Sequence, residues 1–318
     1  MTLVSGANAA MPTETRYDEP GPCRVQETLQ VWTDAARGRE VPVTIFEPIG
    51  APGACPVVLF SHGLGGNRES GAAWGRHWAG HGYLCVHLQH PGSDDQLWRN
   101  NATPLHNMRA AMNAQNWIER TRDVSFAIDR LEVLNRQSGV FSNRLDLARL
   151  GVAGHSFGAG TVLAVCGQSL GWLPGGGEGG FADPRLKAGL AFSPSVARGG
   201  DPAAIYGSIA IPLFSVTGTR DDSPISDTKA RHRRIPFDNM PGPDKYLLTL
   251  DHADHMVFNG HLRRTGDAPH DAAIHRMVRA ASLACWDAHL RGDAKAKKWL
   301  EGDGFAAMLR GFGTFERK

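Results

Sequence analysis

The stretch RLGVAGHSFGAG, residues 149–160, sets a serine among glycines directly after a short apolar run. Gly154 and Gly158 stand two residues before and two after Ser156, the G-x-S-x-G spacing of a nucleophile raised on a sharp turn. Such a turn is strained, so its flanking positions must lack bulk, and Gly160 is expected to let the following helix pack closely on the sheet. A glycine-rich turn without chemistry is the plainer alternative. The position of the pentapeptide, between a buried-strand pattern at 150–153 and a helical one at 161–166, favours a nucleophile.

A serine hydroxyl attacks at neutral pH only with a base in hydrogen-bond reach, itself oriented by a carboxylate. On a strand-turn-helix elbow the chain order is serine, acid, histidine. After the apolar run 211–216 comes TGTRDDSP, which offers Asp221 or its neighbour Asp222. Only one of two adjacent side chains can face the histidine; Asp221 is favoured, and the other reads as a turn or solvated carboxylate. The last strand pattern, 246–250, runs into DHADHMVFNGH, with His252, His255 and His261. His255, deeper in the loop and followed by Met256, Val257 and Phe258, is the candidate base. The other two read as loop or surface histidines, as do most of the fourteen. Two backbone amides must meet the negative charge that develops on an attacked carbonyl. Phe157, next after the nucleophile, supplies one, and Leu64 in SHGLGGNRES supplies the other. Alone, HGLGG would pass for an ordinary turn.

Other groups carry less. His90 with Asp94 and Asp95 is close enough in sequence to suggest a metal, but rim residues of a site-side loop explain them, and no metal or cofactor is expected. Asp123 and Asp129, with Arg120, Arg122 and Arg130, read as ion pairs on a helix surface. Lys295 to Lys298 read as a solvated helix end. Trp98, Trp172 and Leu173, together with Leu97, are the candidate apolar walls of a substrate cleft, although a tryptophan is more often packing.

The elements that must hold these groups follow from hydrophobic patterning. Residues 25–32 and 41–46 alternate around ARGRE as an antiparallel hairpin. Continuous apolar runs at 56–60, 83–88, 150–153, 186–192, 211–216 and 246–250 read as strands buried on both faces. Helical patterns at 69–80, 116–135, 158–166 and 272–289 alternate with them, which implies a doubly wound, mostly parallel α/β sheet of about eight strands. Residues 90–116 and 167–184 are irregular loops, and 193–210 is too short for a cap domain. Residues 1–22 are expected to form a disordered or extended tail, and 23–318 one domain.

Lys and Arg total 34 against 32 Asp and Glu, without long runs of either sign, so neither a nucleic-acid nor a membrane-surface partner is indicated. A small molecule is the expected partner; oligomeric state is not legible. Five scattered cysteines fit neither a zinc site nor a disulfide framework, though Cys23 and Cys55 could pair. No apolar run is long enough to span a bilayer. The segment MTLVSGANAAMP lacks the basic and apolar regions of a signal peptide; a cytoplasmic location is expected if Met1 is the native start, a secreted or periplasmic one if a leader was trimmed.

FSHGLGG, WAGHGYLCVHLQHPGSD, GHSFGAGT and HMVF together resemble the α/β-hydrolase superfamily. Within it the chain is similar to bacterial hydrolases grouped with plasma-type platelet-activating-factor acetylhydrolase and with dienelactone-hydrolase-like and cutinase-like esterases. The resemblance covers residues 25–290. It implies the α/β-hydrolase fold and serine hydrolysis of carboxylic esters, with Ser156 and His255 catalytic and Leu64 and Phe157 as oxyanion donors. In the animal acetylhydrolases the acid follows the strand that here ends AGLAFSPS, where this chain has Ser193 and Ser195. The resemblance therefore implies an acid in TGTRDD, as in dienelactone hydrolases and cutinases, and does not carry phospholipid specificity with it. Three functions follow as expectations: a short-acyl or small aromatic carboxylesterase, a polyester or cutinase-type hydrolase with an open cleft, and a non-catalytic binding member of the fold.

Overall fold

A computed structural model describes residues 16–99, 103–177, 180–197, 199–260 and 268–318. The first fifteen residues of the expected tail, and His261, lie outside them. Of the remainder of that tail, Tyr17 is buried, its ring 4.6 Å from that of Trp299.

The opening hairpin is β1 (Arg24–Asp34) and β2 (Arg39–Ile49), paired antiparallel from Arg24 opposite Ile49 to Asp34 opposite Arg39. β1 is an edge strand, and Leu29 and Val31 on its outer face stay exposed. The apolar runs become β3 (Cys55–Ser61), β4 (Leu84–Leu88), β5 (Leu145–His155), β6 (Leu186–Phe192), β7 (Leu213–Arg220) and β8 (Lys245–Asp254). A ninth strand, β9 (Gly313–Arg317), closes the far edge antiparallel to β8, in the order β1-β2-β4-β3-β5-β6-β7-β8-β9. The six strands from β3 to β8 are mutually parallel. The parallel, doubly wound architecture is as expected, with one strand more. GTFER is short and polar enough to escape notice, and only Phe315, against Tyr246 and Phe305, ties it to the core.

Neighbouring residues of a central strand serve opposite cores, the reason these runs are apolar throughout. Val58 and Phe60 pack on one face with Trp74, Trp78 and Trp286. Val57 and Leu59 pack on the other with Val124, Ile128 and Leu131. The first face is covered by α1 (Ala72–Gly80) and, from the carboxyl-terminal region, α7 (Ala268–His289), α8 (Ala294–Glu301) and α9 (Asp303–Leu309). The second is covered by α3 (Ala114–Arg136), α4 (Phe157–Val165) and the short α6 (Ile235–Asn239). Asn113 caps α3 by accepting the Asn116 amide at 2.9 Å. Among the described residues, no helix is long and apolar enough to cross a membrane.

Four expectations are corrected. The loop 90–116 is not irregular: it holds a 3-10 turn (Asp95–Leu97) and α2 (Pro104–Ala111), begun by a proline at its first position, where the missing N–H costs nothing. Arg120 and Asp123 are not on a helix surface but wholly buried on the sheet side of α3, whereas Asp129 does pair at the surface with Arg185. Among the described residues seven histidines are buried, against the reading of most as surface groups. All five cysteines are free thiols. Lys295 to Lys298 lie on α8, with Lys297 paired to Asp244 at 2.6 Å.

Candidate active site

β5 delivers Ser156 at its carboxyl end, with φ 56° and ψ −114°, a left-handed position rare for a serine. Backbone closeness explains the flanking glycines. A Cβ on Gly154 would stand 2.5 Å from the carbonyl oxygen of Gly158, and one on Gly158 only 1.9 Å from that of Ser61. Gly160 acts differently from expectation: a Cβ there would meet the Trp117 ring of α3 at 2.4 Å, so its smallness admits a tryptophan rather than the sheet. The turn is held by the Ser156 amide donating to Phe192 O and by the Ser195 hydroxyl donating to Ser156 O at 2.8 Å.

The other predicted groups converge on this serine. His255, in the turn after β8, places Nε2 2.9 Å from Ser156 Oγ. Its Nδ1 is 2.7 Å from Asp221 Oδ1, carried in the turn after β7. Asp221 Oδ2 accepts from Thr217 at 2.8 Å. Burial by itself would raise the Asp221 carboxyl; the His255 hydrogen bond and the Arg233 guanidinium outweigh it and hold the group below the ordinary carboxylate range. Asp222 is exposed, bonded to Lys229 and the Ala230 amide, away from the histidine. His252 is exposed as well.

Phe157 opens α4, so its amide has no intrahelical acceptor, and Leu64 lines the same cleft as Ser156. The cleft encloses roughly 760 Å³ and is lined by Met112, Trp117 and Ile225 as well as by Ser195, Ser223 and Asp227. Trp172 is one wall, edge-on to Trp117 at 6.4 Å. Leu173 is not a wall: it is buried with Ala164 and Leu170 behind it. Trp98 also stands apart, its indole N–H donating to Gly65 O at 2.6 Å on the loop that carries Leu64. Among the described residues, 193–210 contains one short helix, α5 (Pro202–Tyr206), and Ser195, Val196 and Ala197 of this segment line the cleft.

Sequence reading missed three groups. His155, the variable position of GHSFG, meets the carbonyl of His255 with Nε2 at 2.9 Å and so holds the base from below. Burial first, and then the neighbouring His255, keep this imidazole unprotonated, down to about 3. Arg120 spans the two sources of the oxyanion donors: it donates to His62 O and Thr161 Oγ1, and its guanidinium lies 4.6 Å from the Phe157 ring centre. Arg233 sits against the acid and the base. A single buried histidine or arginine has no sequence signature, because burial is decided by strands far away in the chain.

Residues 26–137 match the family model described as platelet-activating factor acetylhydrolase, isoform II. That segment includes the Leu64 loop and ends before Ser156. The chain is also 26% identical over 203 residues to the cutinase est2 of Thermobifida alba, covering 64% of this chain and 53% of that protein. The chain thus aligns with about half the length of that curated relative. The mostly parallel sheet with an antiparallel hairpin and the serine on a strand-to-helix elbow are consistent with the α/β-hydrolase fold, and these two similarities support a serine esterase of that superfamily.

Proposed function

We propose that the protein hydrolyses carboxylic esters through an acyl-enzyme on Ser156. The observation that carries this reading is the continuous hydrogen-bonded line Asp221–His255–Ser156 opening on a cleft. Asp221 accepts a hydrogen bond from Nδ1–H and so fixes the tautomer that leaves Nε2 free to accept from Ser156. As Oγ attacks the ester carbonyl, His255 takes its proton and the amides of Phe157 and Leu64 receive the oxyanion. The imidazolium then protonates the leaving alkoxide, and a water molecule repeats the sequence on the acyl-enzyme.

Substrate size follows from the walls. Apolar contact contributes about 25 cal/mol per Å², so a cleft lined by polar as well as apolar groups rewards a short acyl chain or one ring and gains little from a long tail left in water. kcat/KM over p-nitrophenyl esters from acetate to palmitate should peak at roughly two to six acyl carbons, without activation by micelles. A maximum at long chains, or a sharp rise at a lipid interface, would overturn this. The exposed Trp172 on an open wall and the similarity to a cutinase favour a second reading, hydrolysis of polyesters, which a suspension of polyester particles distinguishes by release of soluble acids.

A further inference from the structure

Arg233 lies in ARHRRIPF, a basic run with no motif. Its guanidinium is 2% exposed and borders the cleft. Nε donates to Asp221 O at 3.2 Å, and Nη1 donates to the carbonyls of Ser193 and Pro194, each at 3.0 Å. Nη2 stands 3.4 Å from Asp221 Oδ1 and 3.2 Å from His255 Nδ1. These bonds occupy all three guanidinium nitrogens, so the group is tied to the acid and base rather than free for substrate. Tethering three backbone carbonyls would not require a cation, and burying a cation is costly unless its charge is used.

The charges around the His255 ring decide what that use is. Asp221 touches Nδ1, and Ser156 touches Nε2. His155, from β5, has its ring 4.8 Å away and is kept neutral by burial. Asp254, from β8, accepts the Met256 and Val257 amides. His275, from α7, meets Val257 O rather than the ring. Asp222 and Lys229 pair with each other at 3.0 Å in solvent, and Asp227 lies farther along the cleft wall. Among the described residues, Arg233 is the cation placed against the imidazole, and it shares the oxygen of Asp221 that the imidazole uses.

We propose that Arg233 is a positioning residue that keeps Asp221 ionised and aimed at His255, and whose charge opposes a second positive charge on the imidazole. Activity is then expected to persist to lower pH with Arg233 present than without it. The cation weakens the stabilisation Asp221 gives the transient imidazolium, and in exchange widens the acid side of the working range. This inference rests on the esterase reading of the same residues.

The test compares Arg233→Gln and Arg233→Met, which remove the charge in two shapes, with Arg233→Lys, which keeps it. kcat/KM for p-nitrophenyl butyrate is measured from pH 5.5 to 9.5, with circular dichroism at each pH to verify folding. Two charges this close, partly screened, interact by enough to move the acid limb upward by about one pH unit in both neutral variants. The lysine variant should stay within about 0.3 unit of wild type. A purely structural role would lower the plateau and leave the limb in place. Superimposable limbs, or a downward shift, in a folded neutral variant would overturn the proposal. Proton NMR of the His255 Nδ1–H resonance against pH reads the same displacement without turnover. An inactive wild-type protein therefore sinks the esterase reading alone, while an NMR titration unmoved by loss of the charge sinks the role of Arg233.

Discussion

The described residues contain two Asp-His-Ser lines, and comparing them shows which property matters. Besides Asp221–His255–Ser156, Asp123 Oδ2 meets His90 Nδ1 at 2.9 Å, and His90 Nε2 meets Ser61 Oγ at 2.9 Å. Distances do not separate the two. Access and competition do: Ser61, His90 and Asp123 are all 0% exposed, and Ser61 Oγ also accepts from Arg120 at 3.1 Å, which lowers its nucleophilicity. Ser156 faces the cleft. Ser156→Ala should therefore fold normally and lose on the order of 10³ or more in turnover. Ser61→Ala should keep turnover within a few-fold and cost about 1–2 kcal/mol in a urea melt, the value of buried hydrogen bonds left half-made. Comparable loss of activity in both would remove the distinction. By the same geometry, Asp221→Asn should lower kcat by orders of magnitude, while Asp222→Asn, whose carboxylate meets Lys229 in solvent, should leave it nearly unchanged. Equal losses from the two would move the acid elsewhere.

At the scale of elements, the elbow turn is defined by two approaches that differ in what can yield. The Cβ of Gly158→Ala would meet the backbone of β3, whereas that of Gly160→Ala would meet the outer edge of the Trp117 ring, which can shift. Gly158→Ala should then displace the first turn of α4 and the Phe157 amide, costing about 3 kcal/mol or more together with most of kcat. Gly160→Ala should cost about 1 kcal/mol and act on KM through the cleft wall. Equal thermal melts and equal kcat for the two would contradict this. The elbow, the strands and the Ser156, Asp221 and His255 positions were legible because local rules impose them: runs such as PVVLF must be apolar when both faces are covered, and a tight turn must have glycines. What was not legible depends on distant partners. Nothing local in PLHNMRAAM outweighs its polar residues to announce α2, and GTFER becomes a strand only because β8 presents an open edge. Arg120 shows helical spacing but not the side on which it faces; the sheet and the Leu64 loop decide that.

Across the whole molecule, the buried histidines set the acid limit. His62, His77, His87, His90 and His155 are each 8% exposed or less, bonded to carbonyls, hydroxyls, backbone amides or a carboxylate. Burial is the leading cause in every case: it pulls His77, His87 and His155 to about 3, His90 to about 4, and His62 well below the ordinary 6.5. The native state thus stays unprotonated where the unfolded chain takes up protons. The stability associated with neutral histidines is complete above 6.5 and is lost as pH falls toward 4 and 3. Each such group costs on the order of 1.4 kcal/mol per pH unit below its unfolded value, so five give a slope approaching 7 kcal/mol per unit. Asp123 has the opposite kind of shift for its charge type: burial would raise it, but bonds from His90 and Arg39 hold it at about 2. Its contribution persists above the unfolded value of 3.8 and is lost only below that, too late to set the limit. Against a total stability of about 5–15 kcal/mol, the histidine slope should exhaust the fold within about one to two pH units of the histidine range. Thermal melts at pH 7.5, 6.5, 5.5 and 4.5 should show little change between the first two and a steep fall thereafter, with cooperative structure gone at the last. A melting temperature that holds down to pH 4.5 would mean that these imidazoles are protonated within the folded protein and that their surroundings accept the charge.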